Sequence, residues 1–240
     1  MFELLLSTRL VASGPDRSMT FLGEVAAADF IAGDALAAAV GVSFGVATNT
    51  TTNWLRFLYG GKTLYVPKLA IRTTNGSNSV TWGKLYTAGV VYGSGLSSDP
   101  VPLSQAPAVQ NARVTIGGQV YIVRLIRGAP VNPLPALTNG YDPAVCVGSE
   151  WNDLFYPIVS DPKITSYTGP MQASYSLANL GFTGSSSGGG AFVANTVGSA
   201  NAALVRGAWG SDTACFAGQL NYGSSGAPYG WRPCLELVSS

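Results

Sequence analysis

Two paired-glycine turns constrain this chain more than any other feature. In "RFLYGGKTLYV" (Arg56 to Val66) and "RVTIGGQVYIVRL" (Arg113 to Leu125), Gly60-Gly61 and Gly117-Gly118 each separate two runs of alternating apolar residues. A two-residue hairpin loop whose twist matches its strands needs positive φ at one or both central positions, and a glycine pair takes either form without strain. The chain must therefore contain antiparallel hairpins. Period two places Leu55, Phe57 and Tyr59 on one face, with Arg56 and Leu58 on the other. In the second hairpin Tyr121, Val123 and Leu125 share a face.

Short helices accompany the hairpins. Trp82, Leu85 and Tyr86 lie at helical spacing, with Gly89 placed to end that helix. Ser149 can cap a helix carrying Trp151, Leu154 and Phe155. Nearer the start, "FELLLSTRLVAS" reads as strand material, and Asp34 as the cap of a helix "ALAAAV" closed by Gly41. After Pro157 regular periodicity fades, and "SSSGGG" (Ser185 to Gly190) reads as a loop. The expected class is α+β, built from antiparallel hairpins, two short helices and long irregular loops. The polar run "TNTTTN" (Thr48 to Asn53) is the expected boundary between an N-terminal docking or assembly segment, 1–52, and a main domain, 53–240.

Composition narrows the chemistry. The chain has 240 residues and no histidine, which removes the usual general base and the commonest metal ligand. Its three cysteines, Cys146, Cys215 and Cys234, lack zinc-site spacing. They suit reduced buried thiols, with a Cys215–Cys234 bridge open on spacing alone. Glu150 and Asp153, three residues apart on a helix, have two readings: a glycosidase-like carboxylate pair, or first-turn acids favoured by the helix dipole. We expect no catalytic residue, cofactor or metal.

Charged residues are only 10% of the chain and the net charge is +1, so no basic stripe suits nucleic acid. The segment "FIAGDALAAAVGVSFGVA" is too small-residue-rich and interrupted to span a bilayer, and "MFELLLSTRL" lacks the pattern of a secretory signal. No membrane insertion is expected. A surface this poor in charge suits a homo-oligomer or an assembly component. Trp54, Trp82 and Trp151 have core spacing. Trp209, Tyr222 and Tyr229 lie among Gly and Ser, where rings serve either a recognition loop or the cover of a loop-rich core.

Two landmarks carry a family resemblance: "VRGAW" (Val205 to Trp209) and "YGWRP" (Tyr229 to Pro233). They resemble the closing "RGG-S-W" and "G-F-R" signatures of the formylglycine-generating-enzyme branch of the C-type-lectin-like fold. Ala208 stands for the second Gly of the first signature, and Trp231 for the Phe of the second. The resemblance implies that Arg206, Gly230, Trp231 and Arg232 are structural, with long loops building a binding face. The enzymatic branch uses two nearby cysteines for copper, and Cys215 and Cys234 do not stand at that spacing.

A second resemblance spans Trp54 to Leu237. The ordered series "WLRF-Y-GKTLYVPK-IR", "SVTWGKLYTAGVVYG", "VTIGGQVYIVRLIRGA", "GSEWNDLFYPI" and "YGWRPCLEL" is similar to a group of bacteriophage virion proteins. It implies a non-enzymatic virion structural protein, tail- or surface-associated, that displays a lectin-like domain towards a host-surface glycan or protein. A head-decoration or tail/baseplate component that binds only other virion proteins is the alternative. The expected contact residues are Trp209, Asp212, Asn221, Tyr222 and Tyr229.

Overall fold

The computed structural model describes residues 17–42, 47–73, 80–97, 105–141, 143–183, 190–198, 202–207, 213–223 and 229–238. The elements in chain order are β1 (Met19–Val25), α1 (Gly33–Ala39), β2 (Ala47–Thr48), β3 (Trp54–Tyr59), β4 (Lys62–Pro67) and β5 (Arg72–Thr73). Then come α2 (Trp82–Thr87), β6 (Arg113–Ile116), β7 (Gln119–Leu125), α3 (Glu150–Phe155) and β8 (Gly190–Val197). The chain closes with β9 (Ala202–Gly207), β10 (Ala217–Asn221), β11 (Tyr229–Trp231) and β12 (Pro233–Leu237). The class is α+β, with mostly antiparallel sheets and few short helices.

Both glycine pairs make the turns their sequence requires. Gly60 and Gly61 have φ of 53° and 75°, and Gly117 and Gly118 have 56° and 79°. The strands they join, β3 with β4 and β6 with β7, belong to a six-stranded sheet of order β1-β3-β4-β12-β7-β6. A second sheet has the order β10-β9-β8-β11, and β2 pairs with β5 separately. Pairing within the second sheet is antiparallel except for β11 on β8.

Strands β8 and β9 are buried on two faces, and this explains their sequences. In β8, Ala191 and Val193 enter one hydrophobic cluster while Phe192 and Ala194 enter the other. In β9, Leu204 and Val205 divide the same way. A strand covered on both sides has no solvent face to mark with polar residues, so "GAFVANTV" and "AALVRG" show no alternation. Trp54, Trp82, Trp151 and Trp231 are all fully buried. Each withdraws roughly 200 Å² from water, a gain of about 5 kcal/mol before ordering costs. Three of the indoles donate to carbonyls: Trp54 to Ile31, Trp82 to Val193 and Trp151 to Ala214.

Helix boundaries follow local chemistry. Ser149 caps α3 by accepting from the Asn152 amide at 3.2 Å, and Thr81 caps α2 by accepting from the Lys84 amide at 3.1 Å. One expectation is corrected: α1 begins at Gly33, its N-cap is Ala32, and Asp34 sits inside the first turn. The Asp34 carboxylate accepts from the Ala35 amide at 2.9 Å, so it serves the first turn from within. Gly41, at φ +71°, follows the helix as a left-handed residue.

The polar run Thr48 to Asn53 leads from β2 into β3. Strand β1 pairs antiparallel with β3 from Met19↔Tyr59 to Val25↔Trp54, and Leu36 of α1 lies in the second core cluster. Residues 19–42 thus share a sheet and a core with the chain beyond Asn53. The strand expected at "FELLLSTRLVAS" and most of "SSSGGG" lie outside the described residues. All three cysteines are buried thiols, none joined in a disulfide among the described residues.

Gly230 shows how tightly the last strands pack. A Cβ built there would sit 2.6 Å from the Ala70 Cβ and 2.8 Å from the Arg72 Cγ. Gly230→Ala should therefore cost about 1–3 kcal/mol through overpacking. Urea denaturation will register this as a lower midpoint with an unchanged slope.

Candidate functional site

The residues of the two closing signatures meet where the sheets join. Arg206 on β9 is fully buried. Its guanidinium donates to the Gly128 carbonyl at 2.7 Å, the Asn152 side chain at 2.7 Å, the Tyr156 hydroxyl at 3.2 Å and the Phe216 carbonyl at 3.2 Å. Arg232, between β11 and β12, donates to the Leu180 carbonyl at 2.6 Å and the Lys68 carbonyl at 3.1 Å. It lies 4.7 Å from the Phe182 ring centroid and 4.9 Å from that of Phe155. Both guanidinia flank Trp151, at 5.8 Å and 5.9 Å from its ring centroid. Burial, then the neighbouring Arg72, pushes the Arg232 guanidinium below its ordinary pKa. Ring faces and carbonyl oxygens offset that cost where no carboxylate does.

The five expected contact residues are placed unevenly. Trp209 and Asp212 lie outside the described residues. Asn221 is exposed at the end of β10, and Tyr222 follows it, buried. The Tyr222 ring packs on Trp82 with centroids 4.9 Å apart, and its carbonyl accepts from the Gly83 amide at 3.1 Å. Burial raises the pKa of the Tyr222 phenol, so it stays protonated at neutral pH. Tyr229 is likewise buried, against Phe192 with centroids 5.9 Å apart, in the same core cluster as Tyr222.

Tyr222 forms one wall of an open groove of about 520 Å³. Thr81, Lys84, Thr87 and Gln105 supply its polar groups. The α2 helix and its Thr81 cap set the first three at three-residue steps, with Lys84 and Thr87 outward and Leu85 and Tyr86 inward. The Thr87 hydroxyl donates to the Gly83 carbonyl at 3.0 Å. Gly83 permits the close approach of Gln105, whose amide nitrogen would lie 3.3 Å from a Cβ there. The groove offers ammonium, hydroxyl and carboxamide groups beside the buried Tyr222. That set suits hydrogen bonding to hydroxyl-rich ligands.

A second concavity, a cleft of about 300 Å³, opens between the β3–β4 turn, β7 and the start of α3. Its floor is an ion-pair ladder. Lys62 pairs with Glu236, and Glu236 accepts from the Arg124 Nε at 3.1 Å. Arg124 also grips Glu150 with two hydrogen bonds of 2.8 Å and 2.7 Å. Burial raises the Glu150 pKa and Arg124 lowers it, and the net direction is downward. Asp153 is held by the Arg17 Nε at 2.8 Å and the Tyr59 hydroxyl at 2.8 Å. Glu150 and Asp153 are thus committed to separate cations. Sequence reasoning overlooked Arg124, although it falls on the face opposite Tyr121, Val123 and Leu125. An arginine there, in a chain with so few charges, was the signal for a buried partner.

Among the described residues no three His, Cys, Asp or Glu side chains gather to hold a metal ion, and no helix is long and apolar enough to cross a membrane.

Two outcomes follow. Arg232→Leu leaves two buried carbonyls without their donor and should cost about 2–4 kcal/mol, seen as a lower melting temperature. Glu150 and Glu236 both have folded-state pKa values below their ordinary 4.5. Their contribution is therefore present at neutral pH and is lost as pH falls below about 4.5 through the folded values. Stability measured from pH 7 to pH 3 should drop in that window, and Glu150→Gln should flatten the drop. No protein-family model, curated protein or solved structure matches the chain.

Proposed function

We propose that this chain is a non-enzymatic structural protein of a bacteriophage virion, tail- or surface-associated, presenting a C-type-lectin-like domain for host-surface recognition. The resemblance of Trp54 to Leu237 to virion proteins supports the family. The α+β class, the long connections and a closing strand paired beside an early hairpin are compatible with the lectin-like fold. The observation that carries the binding role is the Tyr222 groove, where outward polar groups on a fixed helix stand beside a ring already buried and ordered. Such a groove binds glycan hydroxyls weakly, and a virion multiplies weak contacts by copy number.

The assembly reading has its own support. Leu22 on β1 and Leu58 on β3 are 40% and 41% exposed on neighbouring strands at the sheet edge. Apolar side chains on an edge strand suit a protein partner, either a second copy or another virion protein. In that reading residues 1–52 dock the chain onto the particle.

Binding of the full chain, presented as a multimer, to an array of bacterial surface glycans and to whole cells tests the proposal. Lys84→Ala and Gln105→Ala each remove about one net hydrogen bond and should weaken retention roughly 3- to 10-fold at unchanged melting temperature. Failure to bind any glycan or cell, with co-purification of other virion proteins instead, would establish the assembly reading.

A further inference from the structure

The cleft beside β7 has a charge balance that its ion pairs do not close. Arg17, Lys62, Arg124 and Arg127 line it, against Glu150 and Glu236. Asp153 takes Arg17, while Glu236 and Glu150 take Lys62 and Arg124. The exposed Arg127 guanidinium has no carboxylate partner among the described residues. One positive charge is left over, at the mouth of a concavity.

A lone exposed arginine is ordinary on any protein surface, and two observations set this one apart. First, its backbone is fixed on every side. The Arg127 amide donates to Glu150 at 2.9 Å, and its carbonyl accepts from the Trp151 amide at 3.0 Å. The next two amides, Gly128 and Ala129, donate to the buried Asn195 side chain at 2.8 Å and 3.1 Å. Arg206 holds the Gly128 carbonyl at 2.7 Å. A ligand that binds Arg127 therefore orders only a side chain, not a loop. Second, spare donors line the same cleft. The Lys62 ammonium has three donors, its side chain is 59% exposed, and Glu236 is its carboxylate partner. Arg17 turns Nε and Nη2 to Asp153. Its Nη1 faces Gly148, where an added Cβ would lie only 3.1 Å away.

We propose that this cleft binds an acidic sugar residue, its carboxylate or phosphate on the Arg127 guanidinium and its hydroxyls on the remaining donors of Lys62 and Arg17. The planar guanidinium fork matches the two oxygens of either anion. The volume, about 300 Å³, stands at the lower end of ligand pockets and suits one monosaccharide unit. The buried Arg124–Glu150 pair forms a floor already saturated, so an incoming anion meets the unpaired charge at the rim. The anionic part of this inference stands on the cleft alone, and the sugar part rests on the host-surface reading.

Calorimetric titration of the full chain with glucuronate, glucose 6-phosphate, glucose and inorganic phosphate tests it. At least one of the two acidic sugars should bind 10-fold or more tightly than glucose, and which one identifies carboxylate or phosphate. Arg127→Gln should weaken that binding at least 10-fold at an unchanged melting temperature, and Arg127→Lys should restore part of it. Lys84→Ala, in the separate Tyr222 groove, should leave it unaltered. Equal binding of glucose, undiminished binding by Arg127→Gln, or no binding of either acidic sugar overturns the proposal. Inorganic phosphate binding as tightly as the sugars overturns the sugar part. Acidic-sugar binding with no retention on cells would sink the host-surface reading and leave the cleft standing. Retention on cells that Arg127→Gln leaves intact, with no acidic sugar bound, would do the reverse.

Discussion

Nine residues, Tyr229 to Leu237, belong to both large sheets, and the rest of the molecule depends on that bridge. Strand β11 pairs with β8 in the four-stranded sheet, and β12 runs between β4 and β7 in the six-stranded one. Arg232 is the residue between them, turned into the core. The Trp231 amide and carbonyl also exchange hydrogen bonds with Ile71, at 2.8 Å and 2.9 Å, tying β5 to the same joint. Pro233 opens β12, where its missing amide costs the ladder least. Both glycine-turn hairpins can form locally, but the sheet that unites them waits for the end of the chain. Leu235 pairs with Tyr65 on one side and Val123 on the other. Such non-local closure is slow to fold, and it makes the closing segment the place where a lesion is least tolerated.

Sparse charge acquires a physical meaning in this architecture. The chain has 25 charged residues, and among the described ones six are buried: Arg124, Glu150, Asp161, Arg206, Arg232 and Glu236. About a quarter of the charges are thus spent inside the protein rather than on its surface. Each buried group has a stated compensation. Arg124 meets two carboxylates, and the Asp161 carboxylate accepts from the Thr213 hydroxyl at 2.7 Å and the Ala214 amide at 2.8 Å. Arg206 meets carbonyls and an amide oxygen, and Arg232 meets carbonyls and rings. Arg232 is satisfied only through Nη2, its Nε and Nη1 being buried without a hydrogen-bond partner among the described residues, so the rings carry more of its compensation. Held in this way, buried charges favour one packing over many, because any rearrangement strands a charge away from water. The weakly charged exterior fits the proposal of a chain covered in part by its neighbours on a particle.

Local chemistry was legible in the sequence, and long-range pairing was not. Gly60-Gly61, Gly117-Gly118 and the Ser149 cap act within a few residues, so their residue types alone announce them. The alternation in β3 and β7 was legible because one face of each differs in character from the other. Strands β8 and β9 gave no such signal, since both faces are apolar, and the parallel pairing of β11 on β8 joins residues far apart in the chain. Asp34 shows the limit at helix ends, where a good capping residue lost to a register set by packing of Leu36. For the sites, Tyr222 was readable as a ring among small residues, and its groove was not, because Gln105 and α2 reach it only through the fold. Tyr229, with much the same local texture, is buried in the same cluster and lines no groove with Tyr222.

The two buried arginines of the closing signatures and the cleft are parts of one structure, and Trp151 is where they meet. Its ring is flanked by Arg206 and Arg232, and its indole donates to the Ala214 carbonyl. Its backbone amide holds the Arg127 carbonyl, while the preceding residue, Glu150, holds both Arg124 and the Arg127 amide. A change at Arg232 or Arg206 therefore reaches the wall of the cleft through helix α3, with no ligand contact altered. Loss of binding after such a change would speak of the scaffold. Only changes at side-chain tips, such as the guanidinium of Arg127 or the ammonium of Lys84, separate recognition from folding, because their backbones are held by other residues.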